Sequence, residues 1–357
     1  MAEVRVLVVD DSAMVRALIR ALVEMAEGLT VCGEAENGRQ AVEQVLALRP
    51  EIVTMDLQMP EMSGLEAIEE IMAARPTPIL VLSDIADARN AMAAVERGAL
   101  EAVQKPSVDD GPAFTARLKM LAGVPVIRHI RSKRSLIKGS GASAASPVRN
   151  PLLPDRSVWG EKGRIFVVAA STGGPQALAQ LLPRLPADFP APVLIVQHIS
   201  DGFAAGMATW LNDLCRLTVA LGQESERLTA GRIYLADSTT HLTLTPDQRI
   251  HLQPRTDRDI YRPSCDVTLT AVAEIFGSRA VGVILTGMGR DGARGIAAIR
   301  CAGGVTLGQD EASSVVYGMN REAIVAGSVQ SVLPLSAIAD EMVRLARAPG
   351  QTRCKSL

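Results

Sequence analysis

A serine lies at a turn between a strand-like run and a helix-like run, within residues 166–175. The apolar run ends at Ala170, two glycines and a proline follow Ser171 and Thr172, and helical periodicity starts at Gln176. A serine hydroxyl at such a turn stands clear of the sheet, beside free backbone N–H groups of the helix start. Acyl transfer needs this arrangement, because a nucleophile and an oxyanion-binding site must lie close together. Taken alone, the turn is more typical of an anion-binding or structural loop.

One of the four histidines is placed to activate Ser171. His198 directly follows an apolar run, residues 192–196, which is typical of a strand in a parallel sheet. Its side chain is therefore expected at the carboxyl end of that strand, on the same sheet edge as Ser171. The other histidines lie in linker-like or hairpin-like sequence: His129, His241 and His251. We therefore predict that His198 is the general base.

A carboxylate on the same edge would orient the imidazole and stabilise its cation. Asp291 is the first candidate, because it follows the strand-like run 281–285 and has Gly289 and Gly292 close on either side. Asp266 competes with it, although that residue equally suits the N-cap of a helix from Val267. Asp310 and Glu311, after the next strand, are further alternatives.

Two glycine-rich turns supply candidates for the oxyanion site. We expect the donors among the backbone N–H groups of Thr172, Gly173, Met288 and Gly289. The order Ser, His, Asp along the chain differs from the orders in α/β-hydrolases, chymotrypsin and subtilisin. Ala169 also replaces the first glycine of the G-x-S-x-G elbow. Both facts argue against an ordinary lipase-type hydrolase.

A second set of polar residues follows strand-like runs in the first third of the chain: Asp10, Asp11, Asp56, Ser83 and Lys105. Three carboxylates at one crevice repel one another, and oxygen ligands with room for water suit Mg²⁺. With the metal bound, Asp56 can attack a phosphoryl group while Lys105 and Mg²⁺ neutralise its charge. Ser83 can then hydrogen-bond the phosphoryl oxygen. Any one of these acids alone would be an ordinary cap or loop residue.

Alternating strand-like and helix-like runs must position both sets, and this alternation is typical of doubly wound parallel α/β sheets. In the first unit, residues 1–122, strands are predicted at 4–9, 29–35, 52–55, 78–82 and 102–104. In the second, residues 164–348, they are predicted at 164–169, 193–196, 231–235, 281–285, 304–307 and 329–332. A hairpin over 241–245 and 250–253 is predicted as an addition to a mostly parallel sheet.

The residues between and after these units have the composition of connecting segments. Residues 123–163 are predicted to be a flexible basic linker, since they are rich in Gly, Ser and Pro and carry five Arg and Lys residues within 128–138 with no acidic residue among them. A solvated tether is the favoured interpretation of this charge, ahead of a contact with an acidic partner. Residues 349–357 are predicted to be a tail.

Composition excludes several classes of protein. The 357 residues are 48% hydrophobic, which is ample for two cores, and the formal net charge of −2 gives no attraction to nucleic acid. Aromatic residues make up 3%, too few for a base-stacking platform. Five scattered cysteines without C-x-x-C spacing indicate reduced thiols in the cytoplasm. No run approaches the ~20 apolar residues of a membrane span, so no membrane insertion is expected.

The motifs of the first unit resemble those of response-regulator receiver domains. They are Val-Asp-Asp-Ser at 9–12, Met-Asp-Leu-Gln-Met-Pro at 55–60, Leu-Ser at 82–83 and Gln-Lys-Pro at 104–106. This resemblance implies a flavodoxin-like five-stranded fold, phosphorylation of Asp56 by a histidine kinase with Mg²⁺, and switch roles for Ser83 and Lys105. One departure is Ala102, in a strand where receivers commonly carry an aromatic residue.

Across both units, the sequence resembles the chemotaxis protein-glutamate methylesterases, the CheB family. The motifs are Ala-Ser-Thr-Gly-Gly-Pro at 170–175, Val-Gln-His at 196–198, Tyr-Arg-Pro-Ser-Cys-Asp-Val at 261–267 and Thr-Gly-Met-Gly-Arg-Asp-Gly at 286–292. The resemblance implies hydrolysis of glutamyl methyl esters on chemoreceptor signalling helices, deamidation of glutamines, and no cofactor for the ester chemistry. It makes Ser171 the nucleophile, His198 the base and Asp291 the orienting acid.

Three departures and three alternative functions accompany this resemblance. Ala169 stands for a usual glycine, residues 199–202 for Met-Pro-Pro-Gly, and Asn320 for a usual proline. The changed loop after His198 leaves open a receptor outside chemotaxis. A receiver-coupled adaptor without catalysis is a second alternative, and a DNA-binding regulator a third, which the second unit's lack of basic character disfavours.

Overall fold

The computed structural model describes residues 3–84, 88–124, 163–256 and 258–347, which form an N-terminal and a C-terminal compact unit. Almost all of the linker predicted at 123–163, and all of the tail predicted at 349–357, lie outside the described residues. Within the described ranges, no helix is both long enough and apolar enough to cross a membrane.

The N-terminal unit is a five-stranded parallel sheet in the order β2-β1-β3-β4-β5. Its elements are β1 (Val4–Val9), α1 (Ala13–Glu24), β2 (Leu29–Ala35), α2 (Gly38–Leu48), β3 (Ile52–Asp56), α3 (Gly64–Ala74), β4 (Ile79–Ser83), α4 (Ala88–Glu96), β5 (Glu101–Gln104) and α5 (Gly111–Ala122). Strands β3 and β4 are buried at every residue, as expected of parallel strands covered by helices on both faces. This is the flavodoxin-like order, whose ligand crevice lies between β1 and β3.

The C-terminal unit has a seven-stranded sheet in which all neighbouring strands are parallel, in the order β14-β13-β12-β6-β7-β9-β8. Its strands, with a separate hairpin of β10 and β11, are β6 (Ile165–Ala170), β7 (Val193–Gln197), β8 (Thr218–Leu221), β9 (Arg232–Leu235), β10 (Thr240–Leu244), β11 (Ile250–Pro254), β12 (Ala280–Ile284), β13 (Val305–Gln309) and β14 (Ser331–Leu333). Its helices are α6 (Gly174–Leu181), α7 (Ala204–Leu214), α8 (Cys265–Phe276), α9 (Ala293–Cys301), α10 (Met319–Val325) and α11 (Leu335–Arg347). Short 3₁₀ turns follow α6 at Leu182–Arg184 and α8 at Gly277–Arg279.

Strand β6 lies at the centre of this sheet, where the strand order reverses. The chain continues from β6 to β7 on one side and returns later to β12 on the other side. Ligand crevices in open parallel sheets form at such reversals, beyond the carboxyl ends of the strands. The topology therefore places the segments after β6, β7 and β12 around one crevice.

The predicted fold class is confirmed for both units, with three local corrections. The four-residue edge strand β8 was not predicted, because so short a run carries no readable alternation. Strand β14 begins at Ser331 and not at residue 329, since the Thr306 hydroxyl bonds to Ser328 and Gln330 just before it. Helix α8 is capped by Ser264, whose hydroxyl accepts from the N–H of Val267, so the expected N-cap role of Asp266 is wrong.

Candidate active site

Ser171 lies directly after β6, at the start of the turn into α6. Its backbone N–H donates to the Thr286 carbonyl at 3.0 Å, and its own carbonyl accepts from the Gly174 N–H at 2.8 Å. Gly173 has φ +75°, a left-handed conformation that favours glycine, and an added Cβ there would lie 2.4 Å from the Val315 Cβ. Both the conformation and the space at this turn therefore require glycine.

The structure brings Ser171, His198 and Asp291 into one hydrogen-bonded chain. The Ser171 Oγ lies 3.1 Å from the His198 Nδ1, and the His198 Nε2 lies 2.7 Å from the Asp291 Oδ2. The His198 side chain is 15% exposed and the Asp291 side chain 1% exposed, so the crevice opens on the histidine side. In this chain Nδ1 faces the serine and Nε2 faces the aspartate, whereas in chymotrypsin Nε2 faces the serine and Nδ1 the aspartate.

The hydrogen bonds of Asp291 keep its carboxylate charged. Its Oδ2 accepts from the Cys265 N–H at 2.6 Å, and its Oδ1 accepts from the Asp266 N–H at 2.9 Å and from the Ser264 hydroxyl at 3.1 Å. Burial raises the pKa of this carboxyl, but the bonds from His198 and the two backbone N–H groups outweigh it and lower the pKa. An ionised Asp291 holds the proton of His198 on Nε2, which leaves Nδ1 free to accept the serine proton.

The alternative carboxylates have other partners. Asp266 accepts from the N–H groups of Gly292 and Gly295 and pairs with Arg294, so it stabilises the start of α9. Asp310 accepts from the backbone and hydroxyl of Ser313. Glu311 is exposed and has no bond to His198 among the described residues.

The candidate oxyanion donors lie on two neighbouring turns. Within the described ranges, the backbone N–H groups of Thr172, Gly173, Met288 and Gly289 have no protein acceptor. An added Cβ on Gly287 would lie 2.6 Å from the Ser171 Cβ, so the second turn packs directly on the nucleophile. Free N–H groups beside the hydroxyl suit the stabilisation of a negatively charged oxygen.

Two side chains at this site were not among the residues predicted from the sequence. The Gln197 Nε2 donates to the carbonyls of both Ser171 and His198, each at 2.8 Å. The Tyr261 ring stacks on the His198 imidazole, with 5.1 Å between ring centroids and 13° between planes. Gln197 lies in the Val-Gln-His motif beside the histidine, which is a signal for it, whereas nothing in the sequence places Tyr261 against His198.

Cys265 also contacts the base, with its Sγ 3.5 Å from the His198 Nε2. Burial raises the pKa of this thiol well above its usual range, and the charges of Asp291 and Asp266 raise it further. A thiol that stays protonated packs as a small apolar group and is a poor nucleophile. Ser171 is therefore the candidate nucleophile of the crevice.

Two departures from the family pattern have structural partners. The Nδ2 of the fully buried Asn320 donates to the Gln309 carbonyl at 3.0 Å and to the Ser314 hydroxyl at 2.8 Å. In the loop after His198, Asp201 forms two bonds with Arg255, at 2.9 and 2.8 Å. Ala169 is fully buried within β6. The altered residues are thus integrated into the supporting structure.

The acidic residues of the N-terminal unit gather between β1 and β3. One carboxylate oxygen from each of Asp10, Asp11 and Asp56 lies within 4.8 Å of the other two. The Lys105 Nζ lies 2.8 Å from the Asp10 Oδ2 and 3.1 Å from the Asp56 Oδ1, and Ser83 ends β4 in a buried position. Burial raises the pKa of the Asp56 carboxyl, Lys105 opposes this effect and Asp10 adds to it. Three hard oxygen ligands, with Asp11 exposed to water, fit Mg²⁺.

Comparisons with known proteins match both units. A family model described as CheB methylesterase matches residues 166–342, and one described as response regulator receiver domain matches residues 6–132. The protein-glutamate methylesterase/protein-glutamine glutaminase 3 of Paramagnetospirillum magneticum is 48% identical over 97% of this chain and 97% of its own. The protein-glutamate methylesterase/protein-glutamine glutaminase 2 of Anaeromyxobacter dehalogenans is 42% identical over 96% of this chain and 97% of its own. The crystal structure of the Thermotoga maritima CheB methylesterase catalytic domain is 36% identical with a TM-score of 0.50, covering 51% of this chain and 98% of that one.

Proposed function

The chain belongs to the CheB methylesterase family, and from this premise we propose how its own residues hydrolyse glutamyl methyl esters. It joins a response regulator receiver to a protein-glutamate methylesterase, which demethylates chemoreceptors, deamidates glutamines and is regulated by phosphorylation. We assign the receiver to residues 1–122, the linker to 123–163, the catalytic domain to 164–348 and the tail to 349–357.

The first proposed step forms an acyl-enzyme. His198 accepts the Ser171 proton on Nδ1 while the serine oxygen attacks the ester carbonyl carbon. Asp291 stabilises the resulting imidazolium through Nε2. The carbonyl oxygen becomes negative, and we assign its stabilisation to N–H groups among those of Thr172, Gly173, Met288 and Gly289.

The second proposed step releases the products. The tetrahedral intermediate collapses, the serine–carbon bond remains, and methoxide leaves as methanol with the proton from His198 Nδ1. His198 then accepts a proton from water on Nδ1 while the water oxygen attacks the acyl carbon. The bond between that carbon and the serine oxygen breaks, His198 returns the proton to the serine oxygen, and glutamate and free Ser171 result. A glutamine side chain follows the same course with ammonia as the leaving group. Since the chain supplies every group in this scheme, we propose that ester hydrolysis needs no cofactor.

We propose that the receiver supplies the control. A two-component kinase phosphorylates receivers with Mg²⁺, which neutralises charge during phosphoryl transfer. In this chain Asp56 is the proposed phosphoacceptor, Asp10, Asp11 and Asp56 the proposed metal ligands, and Ser83 and Lys105 the proposed switch residues. The proposed kinase is the chemotaxis histidine kinase and the proposed compartment is the cytoplasm, where receptor signalling helices are accessible.

The observation that supports this mechanism most directly is the continuous bonding from Ser171 through His198 to Asp291. The test is methanol release from methylated receptor membranes, which we expect Ser171→Ala to reduce by about 10³-fold or more, as removal of a triad member does in serine hydrolases. Cys301→Ser, which alters an exposed thiol at the end of α9, is the matched control and should keep full activity. Substantial methanol release by Ser171→Ala would disprove the nucleophile assignment.

A further inference from the structure

Two exposed apolar side chains lie on the loops that form the catalytic crevice. Ile260 is 87% exposed and precedes Tyr261, whose ring covers the His198 imidazole. Met288 is 49% exposed and follows Gly287, which packs on Ser171. The two loops meet at the crevice, because an added Cβ on Gly289 would lie 3.1 Å from the Tyr261 hydroxyl. Ile260 and Met288 each stand next to one of these contacting residues, so both apolar side chains are available to a molecule that enters the crevice.

An unpaired cation lies on the same loop as Met288. Arg290 is exposed, and among the residues that the structure describes it has neither an ion-pair partner nor a hydrogen-bond acceptor. Arg294, four residues further on, is by contrast paired with Asp266 at 2.8 Å. A free guanidinium next to Asp291 is available to a carboxylate that arrives with the substrate.

We propose that Ile260, Met288 and Arg290, here called the rim, bind an amphipathic acidic helix that carries the target ester. This inference rests on the proposed function and adds the chemistry of the substrate segment. Residues three or four apart share one face of a helix, so neighbours of the esterified glutamate meet the rim when the ester enters the crevice. Apolar neighbours contact Ile260 and Met288, and a carboxylate neighbour pairs with Arg290.

The charge on Arg290 then sets a substrate preference. A guanidinium pairs with a carboxylate but gains little from a neutral amide or an ester at the same place. A glutamyl ester is therefore hydrolysed faster when the residue four positions away is glutamate than when it is glutamine or a second ester. Demethylation of one site accordingly promotes demethylation of its neighbour on the same helix.

The test compares two methylated receptor substrates that differ only in Glu or Gln four residues from a single esterified glutamate. Initial methanol release gives a Glu-to-Gln ratio of kcat/KM for each enzyme, which cancels any general loss of activity. For the wild type we expect a ratio of about 3 to 5, the size of an exposed ion pair, falling towards 1 in high salt. Arg290→Ser should give a ratio near 1, and Arg290→Lys should retain part of the preference.

The apolar part of the rim has its own readout. Ile260→Ser should raise KM for both substrates by about fivefold while leaving the Glu-to-Gln ratio unchanged, because it removes apolar contact and no charge. Matched controls are Arg300→Ser and Val325→Ser. They alter exposed residues in the last turns of α9 and α10, whose first turns lie nearer the crevice. Both controls should behave as the wild type.

Results that contradict the rim proposal differ from results that contradict the proposed function. A wild-type ratio of 1 at low salt, or an unchanged ratio in Arg290→Ser, would overturn the rim proposal while leaving the esterase assignment intact. If Ile260→Ser and Val325→Ser changed KM equally, the proposed contact between Ile260 and the substrate helix would be disproved. Absence of Ser171-dependent methanol release from both substrates would instead overturn the proposed function.

Discussion

One side-chain amide fixes the spacing between the proposed nucleophile and base. Gln197 is buried, and both protons of its Nε2 are donated, one to the carbonyl of Ser171 and one to that of His198. Both partners are acceptors, so only a group with two donors can serve both. The distance between Ser171 Oγ and His198 Nδ1 therefore depends on a residue that touches neither reacting atom.

Gln197→Glu should slow the reaction without weakening substrate binding. The carboxylate keeps the shape of the side chain but places oxygen against two carbonyl oxygens, which repel it and shift the serine relative to the imidazole. A misplacement of this kind costs about 10²-fold in kcat, and KM should stay within about twofold of the wild type. Steady-state methanol release at several receptor concentrations separates the two constants. A wild-type kcat would show that the amide is dispensable.

At this scale the sequence predicts positions better than contacts. Because Ser171, His198 and Asp291 follow strands β6, β7 and β12, their shared sheet edge could be inferred from strand ends alone. The stacking of Tyr261 on His198 could not, since it depends on a long loop held by distant contacts. One of these is the bond from the Ser264 N–H to the Nδ1 of the buried His241 on β10. The catalytic roles themselves stay predictions until the substitutions are measured.

At the scale of elements, the segment between β13 and α10 supports the nucleophile turn. The Thr286 hydroxyl donates to the Thr172 carbonyl at 2.9 Å and accepts from the Val316 N–H at 2.9 Å. The Val316 carbonyl accepts from the Gly287 N–H at 3.0 Å. Through Val316 this segment thus links Thr286, which holds the Ser171 turn, to Gly287 of the second turn.

Gly173→Ala should impair both stability and activity. Alanine in the left-handed region costs about 1–2 kcal/mol, and the new methyl group would overlap the Val315 side chain. We expect a lower thermal midpoint and at least about a tenfold loss of kcat, through displacement of Ser171. The double variant Gly173→Ala/Val315→Ala relieves the overlap but not the backbone strain, so it should recover part of each loss. Full activity of the single variant would contradict the role given to this turn.

The loop after His198 is held by an ion pair between Asp201 and Arg255. Arg255 lies just past β11, and it bonds to Asp201 and to the Ser238 carbonyl at 3.0 Å. The hydrogen bonds from Arg255 lower the pKa of the Asp201 carboxyl, although burial opposes them. The hairpin is thereby tied to the loop that follows the proposed base.

Asp201→Asn should reduce stability in a pH-dependent way. Because the folded pKa is lowered, the stabilisation is fully present above the unfolded value of about 3.9 and is lost as the pH falls through the folded pKa. The gap between wild-type and Asp201→Asn urea midpoints should therefore be constant from pH 7 to pH 5 and shrink below about pH 4. Since the pair is partly exposed, we expect about 1 kcal/mol at most. Asp340→Asn, which alters a more exposed pair with Arg184, is the control and should give a smaller gap.

The two sheets could be predicted because their strands are long apolar runs with clear turns between them. The edges could not, since β8 and the start of β14 are defined by hydrogen bonds to neighbours and not by their own residues. The N-cap of α8 could not be chosen from the sequence either, because Ser264 and Asp266 are both capping residue types. Only the fold shows that Asp266 serves the start of α9, on a different helix.

At the scale of the whole molecule, one chain combines an acidic crevice and a serine crevice, each at the reversal point of its own sheet. In each case strands on both sides of the reversal contribute: β1 and β3 for the carboxylates, β6, β7 and β12 for the serine site. The same rule of parallel sheets therefore placed both candidate sites from sequence.

A small-molecule phosphodonor should stimulate methanol release by the wild type and not by Asp56→Asn. The amide cannot accept the phosphoryl group, and removal of Mg²⁺ by chelation should abolish the stimulation in the wild type for lack of charge neutralisation. Asp109→Asn, which alters an exposed acid near α5, is the matched control and should respond as the wild type. Stimulation of Asp56→Asn to the wild-type level would place the phosphoacceptor elsewhere.

The order of the elements also has a consequence for synthesis. A ribosome completes the receiver sheet before it makes Ser171, and the sheet around Ser171 gains its other half only with β12 and β13. Since domains generally fold as units as they emerge, the growing chain holds a finished control module long before it holds a working esterase. The receiver fold is therefore available before the crevice around Ser171 is complete.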